Sequence, residues 1–397
     1  MNTAVEAGAS SRRDSIARVQ ATPVYVDCSL DIGPISKPAR LSGLVLEIET
    51  ADGLLGHGFT AITDEEIVAA ALNEVVAPNL LGKDAMAREQ IAEALYWLLS
   101  PRGQTGYASH AISAVDIALW DIAGKRLGQP VWRLLGGARP AVTTYTTFGF
   151  GVLDRDELAA AARHLAERGH RRLKMVVGQH ALARRDEPRP LDTVIAEDER
   201  RIRAVREAIG PEVELYIDAN CSLDAFHALR LAQRVADCDI GFFEEPLRGN
   251  DVQRLADFRR QAPMPVAAGQ NEGQLFRYRD MLAADALDIL QPNVCIGGGY
   301  SAGIKAAALA QAHGITIDNG GAFPFHNMHL HAGLANGGLV EWHLVSVSMC
   351  HQLFKNLPKR EVDTLALPVQ PGLGYELDLD AVREIGKRPA SRGKGKG

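Results

Sequence analysis

Between Leu41 and Thr60 the chain reads LSGLVLEIETADGLLGHGFT, with apolar and polar residues alternating on both sides of Ala-Asp-Gly. A period of two puts alternate side chains on one face, and Asp-Gly supplies a tight turn, so the stretch predicts an antiparallel hairpin. The period then lengthens. DEEIVAAALNEVVAPNLLG, AREQIAEALYWLLS and SHAISAVDIALWDIAGKRLGQP carry their apolar residues at helical spacing. In the last of these Ile112, Val115, Ala118, Leu119 and Ile122 share a face, and Gly128 with Pro130 supplies the stop. An α+β unit from about residue 20 to 135 is the expectation.

From Ala141 short apolar runs alternate with amphipathic helices such as RDELAAAARHLAERG and AFHALRLAQRVAD. The runs are VTTYTTF, RLKMVV, VELYIDA, IGFFEE, MPVAAG, LDILQPN, GITIDNG and GLVEWHL. Strands separated by helix-length segments predict a parallel sheet, and eight of them predict closure into an α/β, TIM-like (β/α)-barrel. The expected division is a flexible tail at 1–18, the α+β unit at 19–138 and the barrel at 139–350. A Pro/Gly-punctuated segment at 351–386 then packs back on the first unit, and a basic, Gly-rich tail at 387–397 ends the chain.

Composition narrows the function classes. Hydrophobic residues make up 46% of the 397 and charged residues 23%, as in soluble globular proteins. A net charge of −6 leaves no electrostatic footprint for nucleic acid. No apolar run approaches the ~18 residues of a membrane span, and the N-terminus lacks the apolar core of a secretory signal. Five scattered cysteines lack metal-ligand spacing, which fits a reduced cytoplasm.

In a (β/α)-barrel the strand C-termini form the working face, so the polar residues that end strands carry the chemistry. Glu244 follows Asp218 by the same 26 residues by which Gln270 follows Glu244. One βα unit each time sets the three on neighbouring strands three, four and five. A single strand-end acid is usually an ordinary ion pair or helix cap. Three oxygen-bearing side chains in register instead suggest a hard-ligand site suited to Mg²⁺. Glu272, two residues beyond Gln270, is the alternative third ligand.

SAVDIALWDIAGKRLGQPVWRLLGG, YIDAN, FFEEPL and PGLGYELD, in this order, resemble the enolase superfamily, mandelate racemase subgroup. The resemblance implies a barrel under an N-terminal α+β capping domain. It also implies three acidic Mg²⁺ ligands and removal of the proton α to a carboxylate through an enediolate. Asp218 and Glu244 match the first two ligands, and Gln270 stands in place of the third. Replacing Glu by Gln keeps an oxygen donor and removes one negative charge. Homo-oligomers are common in the family.

Two departures change the picture. Lys174 matches the first lysine of the family's Lys-x-Lys, but Val176 stands where the second, a base, belongs. The His–Asp dyad positions fall on Gly320 or Asn319 and on Asn293. That leaves Lys174 as base or as carboxylate ligand. It also leaves Glu341 as a protonated hydrogen-bond donor to the enediolate and His326 as a proton donor to a departing hydroxyl. Asn220, Asn293, Asn319 and Lys37 are the candidate substrate contacts. Lys37 lies in LDIGPISKPARLSG, which resembles the family's mobile capping loop.

The expected partner is a small-molecule carboxylate, without nucleic acid or membrane. The expected reaction is Mg²⁺-dependent dehydration of a hydroxy acid or acid sugar. A racemase or epimerase needs acid/base groups on both faces of the α-carbon, and only one is assignable. A carboxylate-binding barrel that lost its bases is the non-enzymatic alternative.

Overall fold

The computed structural model describes residues 13–99, 106–178 and 190–387. Most of the expected N-terminal tail and all but the first residue of the basic C-terminal tail lie outside them. The first unit is an antiparallel sheet of β1 (Ile16–Ile32), β2 (Ile35–Thr50) and β3 (Leu55–Ala61), in that order. The expected hairpin is β2–β3, turning at Ala51–Gly53. Ile16 is buried and opens β1, so regular structure starts inside the stretch expected to be tail.

The expected mobile loop around Lys37 is also strand. β1 pairs with β2 along its whole length, Leu30 opposite Lys37 and Ile32 opposite Ile35, around a turn at Gly33 with φ +57°. Pro38 reads as a break in the sequence. β3, however, covers β2 only from Gly43 onward, so the far edge at Pro38 is open and no ladder bond is lost there.

Helix Tyr107–Leu127 lies across β3. The approach is so close that a Cβ added at Gly58 would stand 1.8 Å from the Ala114 carbonyl oxygen. One added at Gly56 would stand 2.5 Å from that of Ala118. The glycines of LLGHGFT are therefore the contact surface for the helix.

The barrel strands are β4 (Ala141–Gly149), β5 (Arg172–Val176), β6 (Glu214–Asp218), β7 (Ile240–Glu244), β8 (Val266–Ala268) and β9 (Ile289–Leu290). The seventh position is held by Ile317, bridged to Leu290 and to Gly337. The eighth is β10 (Val340–His343), which closes the ring by pairing parallel with β4, Glu341 opposite Tyr145. Inside, Tyr145, Tyr216, Phe242 and Ala267 form a packed layer. Tyr216 stacks on Phe242 with ring centroids 4.1 Å apart, and Tyr145 meets both edge-on. Because the strand period is two, the inward positions one step further along are Thr147, Asp218 and Glu244. An apolar plug thus sits directly beneath a polar layer at the C-terminal mouth.

Helix Leu344–Leu353 packs on β1, as does helix Leu379–Gly386, whose Val382 and Ile385 are buried. The segment after the barrel therefore ties it to the first unit.

Gly58→Ala is expected to destabilise the protein by about 1–3 kcal/mol, because the new methyl meets backbone instead of a flexible side chain. Urea unfolding of the variant against the wild type measures it.

Candidate active site

Four strands deliver charged side chains to one place. Lys174 comes from β5, Asp218 from β6, Glu244 from β7 and Glu341 from β10. Lys174 is 1% exposed, and its Nζ lies 2.7 Å from Glu244 Oε2, 3.0 Å from Glu341 Oε1 and 3.4 Å from Asp218 Oδ2. The Tyr145 ring lies beneath the ammonium, 5.2 Å away. Burial alone would lower the Lys174 pKa, but Glu244, Glu341 and Asp218 outweigh it and hold it above the usual lysine range. In this arrangement Lys174 donates to Glu244 as an ammonium, and the carboxylates around it oppose the loss of its proton that a general-base role would need.

Glu341 differs from expectation in the same way. Burial pushes its pKa up, yet Lys174, His343, the Thr147 hydroxyl and the Ala322 N–H together hold it below the ordinary range. It is an anion that accepts hydrogen bonds, not a protonated donor. Burial raises Asp218 despite Lys174, and burial with Asp218 close by raises Glu244 well above the usual carboxylate range. Among the described residues of the mouth, the carboxylates outnumber the one ammonium.

β8 ends at Ala268, and Gly269 at φ +128° turns the chain so that Gln270 enters the mouth. Its Nε2 donates to Glu245 Oε2 at 2.8 Å. Its Oε1 is buried without a partner, and so is Glu244 Oε1. Both oxygens face the backbone of Gly320, where an added Cβ would stand 2.8 Å from the first and 3.0 Å from the second. Glu272 is instead clamped by Arg277 at 2.8 Å, which removes it as the alternative third ligand.

Among the described residues no three carboxylate, imidazole or thiolate groups stand together as a metal site. Asp218 and Glu244 need the Gln270 amide oxygen to complete a set. That all-oxygen set, with two of its oxygens unpartnered, fits Mg²⁺ and not a thiophilic metal.

The remaining candidates divide. Asn293 donates Nδ2 to the Gly320 and Gly321 carbonyls, while its Oδ1 accepts from Cys295 N–H and Asn327. Asn319 accepts from Glu341 N–H and donates to the Gly320 carbonyl. Both are spent on holding the loop after the seventh strand, which corrects their reading as substrate contacts. Lys37 pairs with Glu157 at 2.5 Å, joining the β1–β2 hairpin to the barrel helix Arg155–Glu167. Asn220 lies at φ +46° beside the mouth, with its N–H on Asp218 Oδ1 and its side chain partly exposed.

His326 is a further correction. Ala322 and Phe323, at φ +71° and +59°, turn the chain away from the mouth before helix Pro324–Gly333 begins. The His326 ring stacks on Phe59 of β3, with Phe354 and Tyr375 against it, and neither ring nitrogen has a partner. Burial, with His57 and His329 adding to it, lowers its pKa well below the histidine range. It is a packing residue between the units.

Among the described residues, the histidine at the strand ends is His343. It stands one inward step beyond Glu341 on β10 and faces the Phe150 ring at 4.8 Å. Its Nδ1 accepts the Ser346 N–H, so the proton of the neutral ring is on Nε2. The signal is in the sequence: in VEWH, Glu341 and His343 are two apart and share a face. Sequence reasoning also misses Glu245 and Gln291, which donates to Glu244 at 3.0 Å.

Residues 36–136 match the family model "Mandelate racemase / muconate lactonizing enzyme, N-terminal domain", and residues 157–381 match "Enolase C-terminal domain-like". A D-galactarolactone cycloisomerase of Agrobacterium fabrum is 33% identical over 87% of this chain and 92% of its own. An L-talarate/galactarate dehydratase of Salmonella typhimurium is 31% identical over 93% and 90%. Among solved structures, a racemase from Streptomyces coelicolor with bound magnesium is 29% identical and superposes with a TM-score of 0.82, covering 93% of this chain and 99% of that one.

Removing the ammonium tests the charge balance of the mouth. Lys174→Met leaves buried carboxylates without their cation and is expected to cost about 3–5 kcal/mol. Denaturant unfolding in chelator-containing buffer checks it.

Proposed function

We propose a function from one premise: the chain belongs to the mandelate racemase / muconate lactonizing enzyme family, within the enolase superfamily. The reading is a Mg²⁺-dependent lyase that dehydrates a hydroxy acid of the acid-sugar class. Its relatives carry such activities in their names, among them arabinonate and L-talarate/galactarate dehydratases. The observation that carries the reading is the pair of unpartnered, buried oxygens on Glu244 and Gln270, converging beside Gly320 next to Asp218.

Asp218, Glu244 and Gln270 would hold the ion. Bound there, Mg²⁺ supplies the Lewis-acid charge that makes a proton α to a carboxylate removable. Lys174, held between Glu244, Glu341 and Asp218, sets a fixed positive charge beside the substrate carboxylate, and Glu341, fixed by Thr147 and Ala322, keeps that ammonium in place. His343, one step beyond Glu341 on β10, carries an Nε2 proton that it would donate to the departing hydroxyl. In the reaction the α C–H and β C–O bonds break, the α-proton and the β-hydroxyl together make up the water that leaves, and the remaining enol becomes a 2-oxo-3-deoxy acid.

A second reading, a carboxylate-binding barrel without chemistry, is favoured by Val176 at the end of β5 and by the commitment of Asn293 and Asn319 to backbone groups. The test is to incubate the Mg²⁺-loaded protein with a panel of aldonic and aldaric acids and to detect 2-oxo-3-deoxy acids as semicarbazones. Turnover of at least one acid, abolished by Asp218→Ala, is expected. Mg²⁺ binding without turnover of any panel acid would leave the non-catalytic reading standing.

A further inference from the structure

The Gln270 amide has two chemically different ends, and only one of them is an oxygen donor to a cation. Which end faces the mouth is decided by its neighbour. Glu245 is fully buried, and its carboxylate is ringed by amide NH₂ groups. Asn250 donates to Oε1 at 2.9 Å, Asn271 to Oε1 at 2.9 Å and Oε2 at 2.8 Å, and Gln270 to Oε2 at 2.8 Å. A carboxylate has no hydrogen to give, so an amide can turn only its NH₂ end toward it. With Nε2 fixed on Glu245, Oε1 must point the other way.

That other direction is the point beside Gly320. Gln270 is 5% exposed and Glu244 fully buried, and an unpartnered oxygen from each meets there. Any side chain at residue 320 would fill the point, since its Cβ would lie within 3.0 Å of both oxygens.

We propose that Glu245 is the positioning residue that makes a glutamine usable as third donor of this mouth, by binding its NH₂ group and aiming its oxygen at the cation site beside Asp218 and Glu244. The inference rests on the metal reading given above. A glutamate in place of Gln270 would not need the orientation, because both of its oxygens are donors. Gln270 and Glu245 therefore act as a pair, and the contribution of Glu245 depends on which side chain it faces. A through-space effect of the Glu245 charge would favour Mg²⁺ whichever residue stood there.

The test is calorimetric titration with MgCl₂ of four metal-stripped proteins: the wild type, Glu245→Gln, Gln270→Glu and the double variant. Thermal unfolding of each confirms folding, and metal binding by the double variant shows independently that Glu245→Gln is accommodated. The amide introduced by Glu245→Gln offers an NH₂ group that lets the Gln270 amide reverse. With Gln270 unchanged, Glu245→Gln is expected to weaken Mg²⁺ binding about 10- to 100-fold, the usual loss for a residue that orients a ligand. Made on top of Gln270→Glu, the same change is expected to weaken binding much less, because both oxygens of the introduced glutamate are donors and need no orientation. Equal weakening in both backgrounds would mean that Glu245 acts through charge alone, and no weakening in either that it does not act; each overturns the inference while leaving the metal site intact. Absence of binding in all four proteins would overturn the metal reading, and this inference with it.

Discussion

Everything at the mouth of the barrel is arranged around one buried ammonium. Lys174 touches Glu244, Glu341 and Asp218 at 2.7–3.4 Å, and water has almost no access to any of them. A fourth carboxylate, Glu245, sits behind this group, held by the amides of Asn250, Asn271 and Gln270 and by the Cys221 thiol. Buried charges of one sign require compensation from hydrogen bonds, opposite charge or protonation. The raised pKa values of Asp218 and Glu244 register the shortfall. A bound divalent cation would supply what one lysine does not.

That constraint also accounts for how the surrounding residues are used. The loop after the seventh strand carries three consecutive small or amide residues, Asn319, Gly320 and Gly321, where bulk would collide with the Gln270 oxygen. Asn293 ties its carbonyls, Asn319 ties it to β10, and Asn327 links it to its own helix. At the positions where the family resemblance implies a proton-moving dyad, Asn293 and Asn319 act as hydrogen-bonded braces. The mouth combines fixed dipoles with the oxygen donors and the lysine.

Much of this is legible in the sequence. Short apolar runs locate the eight barrel positions, and the equal spacing of Asp218, Glu244 and Gln270 sets them on adjacent strands, because one βα unit has a characteristic length. The departures have physical reasons as well. The β1–β2 hairpin is obscured by Pro34 and Pro38, which are tolerated because one is at the turn and the other on an open edge. His326 sits close to a strand end in the chain, but two consecutive left-handed residues send it to the opposite side of the loop, against Phe59. His343 draws no notice as a lone histidine, although the strand period already places it above Glu341.

The sequence by itself determined the architecture and which end of the barrel carries Lys174, Asp218, Glu244, Gln270 and Glu341. Hydrophobic periodicity is a local property, and strand order in a parallel barrel follows chain order. Charge state and orientation are different in kind, since they depend on groups far apart in the chain. Lys174 is a cation because residues 44, 70 and 167 positions downstream surround it, and the Gln270 amide faces inward because Glu245, at the end of the preceding strand, accepts its NH₂ group. Only the tertiary structure brings those partners within hydrogen-bond distance, where electrostatics in a dry interior decides which atom faces which.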